Sequence, residues 1–174
     1  MNDYAEVVAP RTVRLQRTLN APVEKVWAYL TDSELRRRWF AGGPMEPKVG
    51  GALTLTFRNS ELSTAPLPER FQPFEGMTEH STVTRFEPPK ALGFLFGGDG
   101  AEVIFELEPD GERTLLTLTH RNLASRAEMV DVSGGWHAHV GLLQDILADR
   151  PPREFWAEVH AAEAEYQRRI PEDA

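Results

Sequence analysis

The fold is decided by the stretch Ser133-Gly-Gly-Trp-His-Ala-His-Val-Gly-Leu-Leu-Gln-Asp-Ile-Leu-Ala-Asp149. Its apolar residues Trp136, Val140, Leu143 and Leu147 recur at helical spacing, and Ser133 is a suitable N-cap. Such a stripe must be buried, and most of the chain before it alternates polar and apolar residues as strands do. We therefore predict one long helix, beginning near Ser133, that a curved sheet wraps around.

The helices and strands on either side of this helix are predicted from changes in the spacing of apolar residues. Residues 1–11 predict a loose lead-in, 13–18 a first strand, and 22–40 two short helices. Alternation resumes at Leu53 and predicts about five antiparallel strands ending near His120, separated by Gly- and Pro-rich turns. This order indicates an α+β protein whose long sheet must curl.

Two segments stand outside this simple order. Residues 59–75 contain three prolines and no period, and long ordered loops of this kind often act as lids or binding loops. After the long helix, Pro151-Pro152 interrupts the chain, and a last amphipathic helix is predicted over 153–169. We predict a single domain over residues 1–174, with 151–170 as an additional C-terminal helix.

Composition narrows the class of protein. The formal net charge is −8, and no Lys/Arg cluster is interleaved with aromatics on a strand, which argues against nucleic acid as a partner. The run Arg36-Arg37-Arg38 is interpreted as the solvated side of a short helix rather than a phosphate site. The chain has no cysteine, no signal-peptide pattern and no apolar run long enough to cross a membrane, so we expect a cytoplasmic protein without membrane insertion.

Several stretches resemble a known family. Ala21-Pro-Val-Glu-Lys-Val-Trp27, following the first strand, resembles the START-like helix-grip (SRPBCC) superfamily, which includes the Bet v 1-like fold. Within it, three further stretches resemble bacterial single-domain proteins similar to the C-terminal domain of the activator of Hsp90 ATPase (AHSA1-like). They are Phe86-Glu-Pro-Pro-Lys-Ala-Leu92, Val103–Pro109 running on to His120, and Gly134-Gly-Trp-His-Ala-His139.

The resemblance implies a helix-grip fold with a deep apolar cavity between sheet and long helix. Better-known relatives hold lipids, hormones or aromatic polyketides in that cavity. The eukaryotic activators carry a separate N-terminal domain that contacts the chaperone. Only about a dozen residues precede the first strand here, so we do not expect stimulation of Hsp90.

Candidate ligand-binding residues are aromatic side chains and their neighbours on the inner faces of the predicted elements, because apolar cavities with few polar groups bind small molecules in this way. Trp39 is singled out because two large apolar residues at an exposed helix end before Gly42-Gly43 suggest the mouth of the cavity. The full set is Trp27, Trp39, Phe40, Phe57, Phe94, Phe96, His120, Trp136, His139, Val140 and Leu143.

His120 is the candidate catalytic residue, because its strand period places it on the same face as Leu116 and Leu118. The alternative is a strand-end histidine bonded to a backbone group, which we favour. His137 and His139 point about 200° apart on a helix and cannot share one ion. We therefore predict no metal and no cofactor, with His137 on the helix flank and His139 beside the cavity.

Three functions remain open. The first and favoured is a cytosolic binding protein for a small hydrophobic or aromatic molecule. The second is a cyclase- or hydrolase-type enzyme using His120, assisted by His139 or Tyr29. The third is a chaperone-related or homodimeric interaction module that uses the last helix, although we expect that helix to pack against its own domain.

Overall fold

Two layers make up the molecule, a curved antiparallel sheet and the helices that cover its concave face. A computed structural model describes residues 2–174 and orders the seven strands β1-β2-β7-β6-β5-β4-β3. The strands are β1 (Glu6–Ala9), β2 (Thr12–Leu19), β3 (Ala52–Thr56), β4 (Thr78–Glu87), β5 (Ala91–Leu95), β6 (Glu102–Asp110) and β7 (Arg113–Arg121). The helices are α1 (Val23–Thr31), α2 (Ser33–Arg36), α3 (Arg126–Leu147) and α4 (Phe155–Arg169). The predicted α+β helix-grip architecture is confirmed.

Alternation along the strands places one apolar face of the sheet against α3. In β7, Leu116, Leu118 and His120 are buried while their neighbours are more exposed, and Val103 and Phe105 of β6 lie beside them. The predicted inner face of this hairpin is therefore correct. Glu102 of β6 is only 8% exposed, and its carboxylate is paired with Arg121 of β7.

The start of α3 differs from the prediction. The helix begins at Arg126 rather than near Ser133, and Ser125 is its N-cap, accepting a hydrogen bond from the Glu128 backbone N–H at 3.1 Å. The Glu128 carboxylate accepts in return from the N–H of Ala124, one residue before the N-cap, so the two side chains stabilise the start of the helix from both directions. Ser133 lies two turns inside the helix and is buried. Residues 126–132, the part of the helix that was not predicted, include residues of the candidate site described below.

The N-terminal lead-in is also more ordered than predicted. Residues 6–9 form β1, which pairs with β2 at the edge of the sheet. The backbone N–H of Ala5 donates to the hydroxyl of Tyr166 in α4 at 2.7 Å. The first residues are therefore tied both to the sheet and to the last helix.

Arg36 corrects the interpretation of the Arg36-Arg37-Arg38 run. Its side chain is 2% exposed, and its guanidinium donates to the carbonyls of Leu30, Thr31, Ala41 and Gly43. Burial lowers its pKa to about 10, which leaves it charged at neutral pH. Arg36 therefore holds the turn after α2 together, while Arg37 and Arg38 are exposed as expected.

Helix α4 packs on α3 of the same chain, as predicted. The buried residues on the apolar side of this helix are Phe155, Trp156, Val159, Ala162 and Tyr166. Asp145 near the end of α3 binds Arg153 just before α4, with Nε to Oδ2 at 2.8 Å. This pair lowers the pKa of Asp145 to about 2 and fixes the turn between the two helices.

Candidate functional site

An aromatic cleft opens between the sheet, the middle of α3 and the segment 57–77. Its volume is about 420 Å³. Six aromatic side chains line it, namely Phe40, Phe57, Phe71, Phe74, Phe96 and Trp136. Phe40 lies at its base, with ring centroids 4.9 Å from Trp136 and 5.4 Å from Phe57. A partly open, largely apolar cleft of this size is typical of small-molecule sites.

The segment 57–77 supplies the outer wall. The sequence predicted a lid or binding loop over residues 59–75, and none of those residues was named as a ligand contact. Residues 69–74 form a 3₁₀ helix, which has three residues per turn and therefore places Phe71 and Phe74 on one side. Phe74 and Met77 line the cleft and are still 56% and 51% exposed. The three-residue spacing of Phe71, Phe74 and Met77 is the signal that could have identified this wall.

Contacts with α4 hold this wall in place. Arg70 donates to the Glu163 carboxylate at 2.6 Å, and the rings of Phe71 and Trp156 lie 4.8 Å apart. The Ser63 hydroxyl donates to Glu154, whose carboxylate also caps α4. The last helix therefore contributes to the site by supporting its outer wall.

The first turns of α3 supply the opposite wall. Asp131, Val132 and Gly135 line the cleft. The first two were missed because the helix was predicted to begin near Ser133 rather than at Arg126, and Gly135 was inside the predicted helix but was not named as a ligand contact. Apart from its chain neighbours and the backbone of its own helix, no atom of residues 2–174 lies within 4 Å of the position that a Cβ at Gly135 would take. Gly135 therefore leaves the helix surface bare and adds room to the cleft.

Five of the eleven predicted ligand-binding residues line the cleft, namely Phe40, Phe57, Phe96, Trp136 and His139. The other six, Trp27, Trp39, Phe94, His120, Val140 and Leu143, lie elsewhere. Trp39 is fully buried rather than at an exposed helix end, and its indole N–H donates to the Tyr29 carbonyl at 3.0 Å. Trp27 is half-buried and packs on Phe86, 5.5 Å between ring centroids.

Both ring nitrogens of His120 are engaged. The Trp136 indole N–H donates to Nδ1 at 3.1 Å, so Nε2 carries the proton and donates to the Phe96 carbonyl at 2.8 Å. The side chain is fully buried, and burial lowers its pKa. The favoured interpretation of a backbone-bonded strand histidine is therefore correct, and this imidazole has no free nitrogen for catalysis.

His139 is the imidazole on the cleft wall. Its Nδ1 lies 2.7 Å from the Trp39 carbonyl, so Nδ1 carries the proton and Nε2 has the lone pair. Burial lowers its pKa to about 4, which keeps the ring neutral at pH 7. His137 instead lies on the helix flank, as predicted, against Tyr4 and Tyr166.

Two carboxylates flank the cleft on opposite sides. Glu79 projects from the start of β4, and Asp131 lies at the exposed rim on α3. Burial raises the pKa of Glu79, and partial burial followed by the charge of Glu163 raises the pKa of Asp131. Among residues 2–174, neither carboxylate has a salt-bridge partner within 4.0 Å.

Two further depressions are weaker candidates, one because it is smaller and one because charged residues make up half of its lining. A smaller recess of about 260 Å³ adjoins the cleft towards α4 and shares Phe71, Asp131 and His139 with it. A larger, open depression of about 710 Å³ is lined by arginines and the Pro151-Pro152 turn. Its Arg37 pairs with Glu34 and its Arg150 with Asp145, so those charges are already partnered. We therefore place the candidate site at the aromatic cleft.

Residues 2–174 contain no group of three or more His, Asp or Glu side chains arranged to hold a metal ion. Within the same range, no helix combines the length and the apolar character that crossing a membrane requires.

A curved antiparallel sheet that encloses a long helix, with an aromatic cleft between them, defines the helix-grip class. Comparison with protein families then identifies the branch. The chain belongs to the family described as activator of Hsp90 ATPase homolog 1-like protein, whose sequence profile matches residues 20–148. The matched span ends at α3, so α4 lies outside it.

Solved structures agree with this assignment. A Bordetella parapertussis protein determined by NMR is 38% identical, with a TM-score of 0.83, over 95% of this chain and 89% of that one. CalU16 from Micromonospora echinospora is 21% identical, with a TM-score of 0.69, over 96% and 94%. The Aha1 dimer from Colwellia psychrerythraea is 20% identical, with a TM-score of 0.60, over 78% and 95%. No curated protein matches the chain.

Proposed function

We propose that this protein binds a small, largely apolar molecule with an aromatic or similarly flat skeleton in the cleft. The observation that carries the proposal is the outer wall, where Phe74 and Met77 face the cleft while more than half exposed to water. Covering such side chains is favourable by about 25 cal/mol per Å² of apolar surface. A flat ligand between them and Trp136 would remove that exposure.

The polar groups of the cleft favour binding over catalysis. His120 cannot serve as a general base, since both of its nitrogens are bonded and its side chain is buried. His139 is held neutral with its lone pair on Nε2, which suits a hydrogen-bond acceptor that orients a ligand. We therefore favour a carrier or sensor over a cyclase or hydrolase.

Self-association is a separate proposal. The Colwellia relative was determined as a dimer, which suggests the same state for this chain. The apolar side of α4 packs on α3 within one chain, so a dimer would have to use another surface. Light scattering coupled to size exclusion measures the mass directly, and a mass of 19.6 kDa at all concentrations would refute it.

Filling the cleft from Gly135 tests the binding proposal. Gly135→Leu places a side chain in open space at a helical position, so it should occupy the cleft without clashing. Ala127→Leu adds the same side chain to an exposed position of α3 and is the matched control. The neutral fluorescent probe N-phenyl-1-naphthylamine reports binding to apolar sites.

We expect saturable binding of the probe to the wild type and to Ala127→Leu, and an affinity at least roughly tenfold lower for Gly135→Leu. The melting temperature of Gly135→Leu should be unchanged or higher, which separates blocking from unfolding. Equal affinity in the two leucine variants, or no saturable binding to the wild type, would refute the proposal. Native mass spectrometry of the purified protein, with extraction of any adduct, would then identify the natural ligand.

A further inference from the structure

We infer that the cleft selects an apolar amine, and discriminates against a carboxylate of the same shape. The inference rests on the proposed function and specifies the chemical class of its ligand. It follows from the charges and the hydrogen-bonding groups on the cleft wall.

The ionisable groups on the wall carry only negative charge. Its fourteen lining residues include Glu79 and Asp131 and contain no Lys or Arg. His139, the third ionisable residue, is neutral at pH 7. An anionic ligand would therefore approach two like charges across a partly water-excluded space, where their repulsion is larger than in bulk water.

The hydrogen-bonding groups on the wall are mainly acceptors. Besides the two carboxylates, His139 offers a lone pair on Nε2, because Nδ1 donates to the Trp39 carbonyl. Asn59 has a buried Oδ1 that finds no hydrogen-bond partner in the described part of the chain. The hydroxyl of Thr78 is already paired with that of Thr56 at 3.1 Å. Such a wall suits a ligand that donates several hydrogen bonds, as an ammonium group does.

Partners inside the protein do not neutralise these carboxylates. Glu79 accepts one long hydrogen bond, 3.4 Å from the backbone N–H of Gly97. The charge of Arg70 lowers the pKa of Asp131 somewhat. The Arg70 guanidinium, however, is bonded to the Glu163 carboxylate at 2.6 Å and lies over the Phe71 ring. The rise in pKa of both carboxylates agrees with this lack of a cation. An ammonium group would supply the missing charge, and the aromatic faces around it would add cation–π attraction.

The test compares three probes that share one skeleton. 2-Naphthylmethylamine is cationic, 2-naphthalenemethanol is neutral and 2-naphthoic acid is anionic at pH 7. Their affinities are measured by calorimetry at low salt, because screening weakens charge effects at the cleft mouth. Loss of binding in Gly135→Leu assigns each signal to the cleft.

We expect the amine to bind roughly tenfold or more tightly than the carboxylate, with the alcohol between them. The double variant Glu79→Gln/Asp131→Asn should reduce this ratio to about threefold or less. The control Glu112→Gln/Asp173→Asn removes the same total charge from exposed positions outside the cleft and should keep the wild-type ratio.

The outcomes separate this inference from the proposal beneath it. If the alcohol binds in the cleft but the amine binds no more tightly than the carboxylate, the binding function stands and the charge selection is refuted. A ratio that survives in Glu79→Gln/Asp131→Asn also refutes it, since the preference would then arise from net charge alone. If none of the three probes binds, the proposed function fails and the inference with it.

Discussion

At the scale of single residues, the two histidines nearest the cleft differ in which nitrogen is free. His120 accepts from Trp136 and donates to Phe96, whereas His139 donates to Trp39 and keeps one lone pair. The two rings therefore have different uses, although both are buried and both have lowered pKa values. His120 fixes the position of Trp136, and His139 is the one that lines the cleft and that, in the proposed function, would accept a hydrogen bond from the ligand.

Arg36 is a buried structural residue, although its neighbours Arg37 and Arg38 are exposed to solvent. Replacing it with Met would leave the carbonyls of Leu30, Ala41 and Gly43 without their donors in a buried turn. We expect Arg36→Met to lower the free energy of unfolding by about 3 kcal/mol or more, measured by urea titration. Arg37→Met, at a side chain that is 52% exposed, should change it by less than about 0.5 kcal/mol. Similar losses in both variants would contradict this role.

At the scale of elements, the adjacent glycines of α3 face different surroundings. A Cβ on Gly134 would lie 2.7 Å from Cγ of Glu163 and 3.4 Å from its backbone nitrogen in α4, while Gly135 faces open space. Gly134 therefore permits the close approach of the two helices, and Gly135 shapes the cleft.

Leucine at these two positions should have effects of opposite sign. Gly134→Leu should cost about 1–3 kcal/mol of unfolding free energy, because the side chain must push α4 away. Gly135→Leu should gain up to about 1 kcal/mol from helix propensity alone. Urea unfolding of both variants measures the difference, and a stabilised Gly134→Leu would show that α4 is not closely packed there.

The order of elements could be predicted from the sequence, because strand alternation and helical stripes are local patterns. The early start of α3 has a sequence signal in Ser125-Arg-Ala-Glu128, but the regular apolar stripe begins only at Trp136, so apolar spacing alone places the start too late. The cleft was harder to predict. Trp39, Phe94 and Phe96 all belong to apolar clusters, and only the path of the distant segment 57–77 decides which of them lines an open space.

At the scale of the whole molecule, burial of neutral imidazoles makes the fold sensitive to acid. The pKa values of His137 and His139 are lowered to about 4 from an ordinary 6.5, by burial first and, for His137, then by Arg17. Between pH 4 and pH 6.5, these two imidazoles bind more protons in the unfolded chain than in the folded one. The free energy of unfolding therefore falls as the pH is lowered from about 6.5 to 4.

His139→Gln tests this dependence. The raised pKa values of Glu79 and Asp131 act in the opposite sense, so the quantity to measure is the difference between wild type and variant at each pH. We expect the wild type to lose stability relative to His139→Gln by roughly 1 kcal/mol per pH unit across this window. Urea unfolding followed by both fluorescence and circular dichroism gives the values, and a constant difference would contradict the prediction.

The segment 57–77 is closed at its base by its own hydrogen bonds. The N–H of Phe57 donates to the Met77 carbonyl at 2.9 Å, and the N–H of Gly76 donates to the Phe57 carbonyl at 2.7 Å, directly beside the last pair of β3 and β4. The register of the sheet thus does not depend on what lies between these residues. We therefore expect the segment to tolerate changes in length and composition, by evolution or by grafting, while the pairing of β3 with β4 is kept.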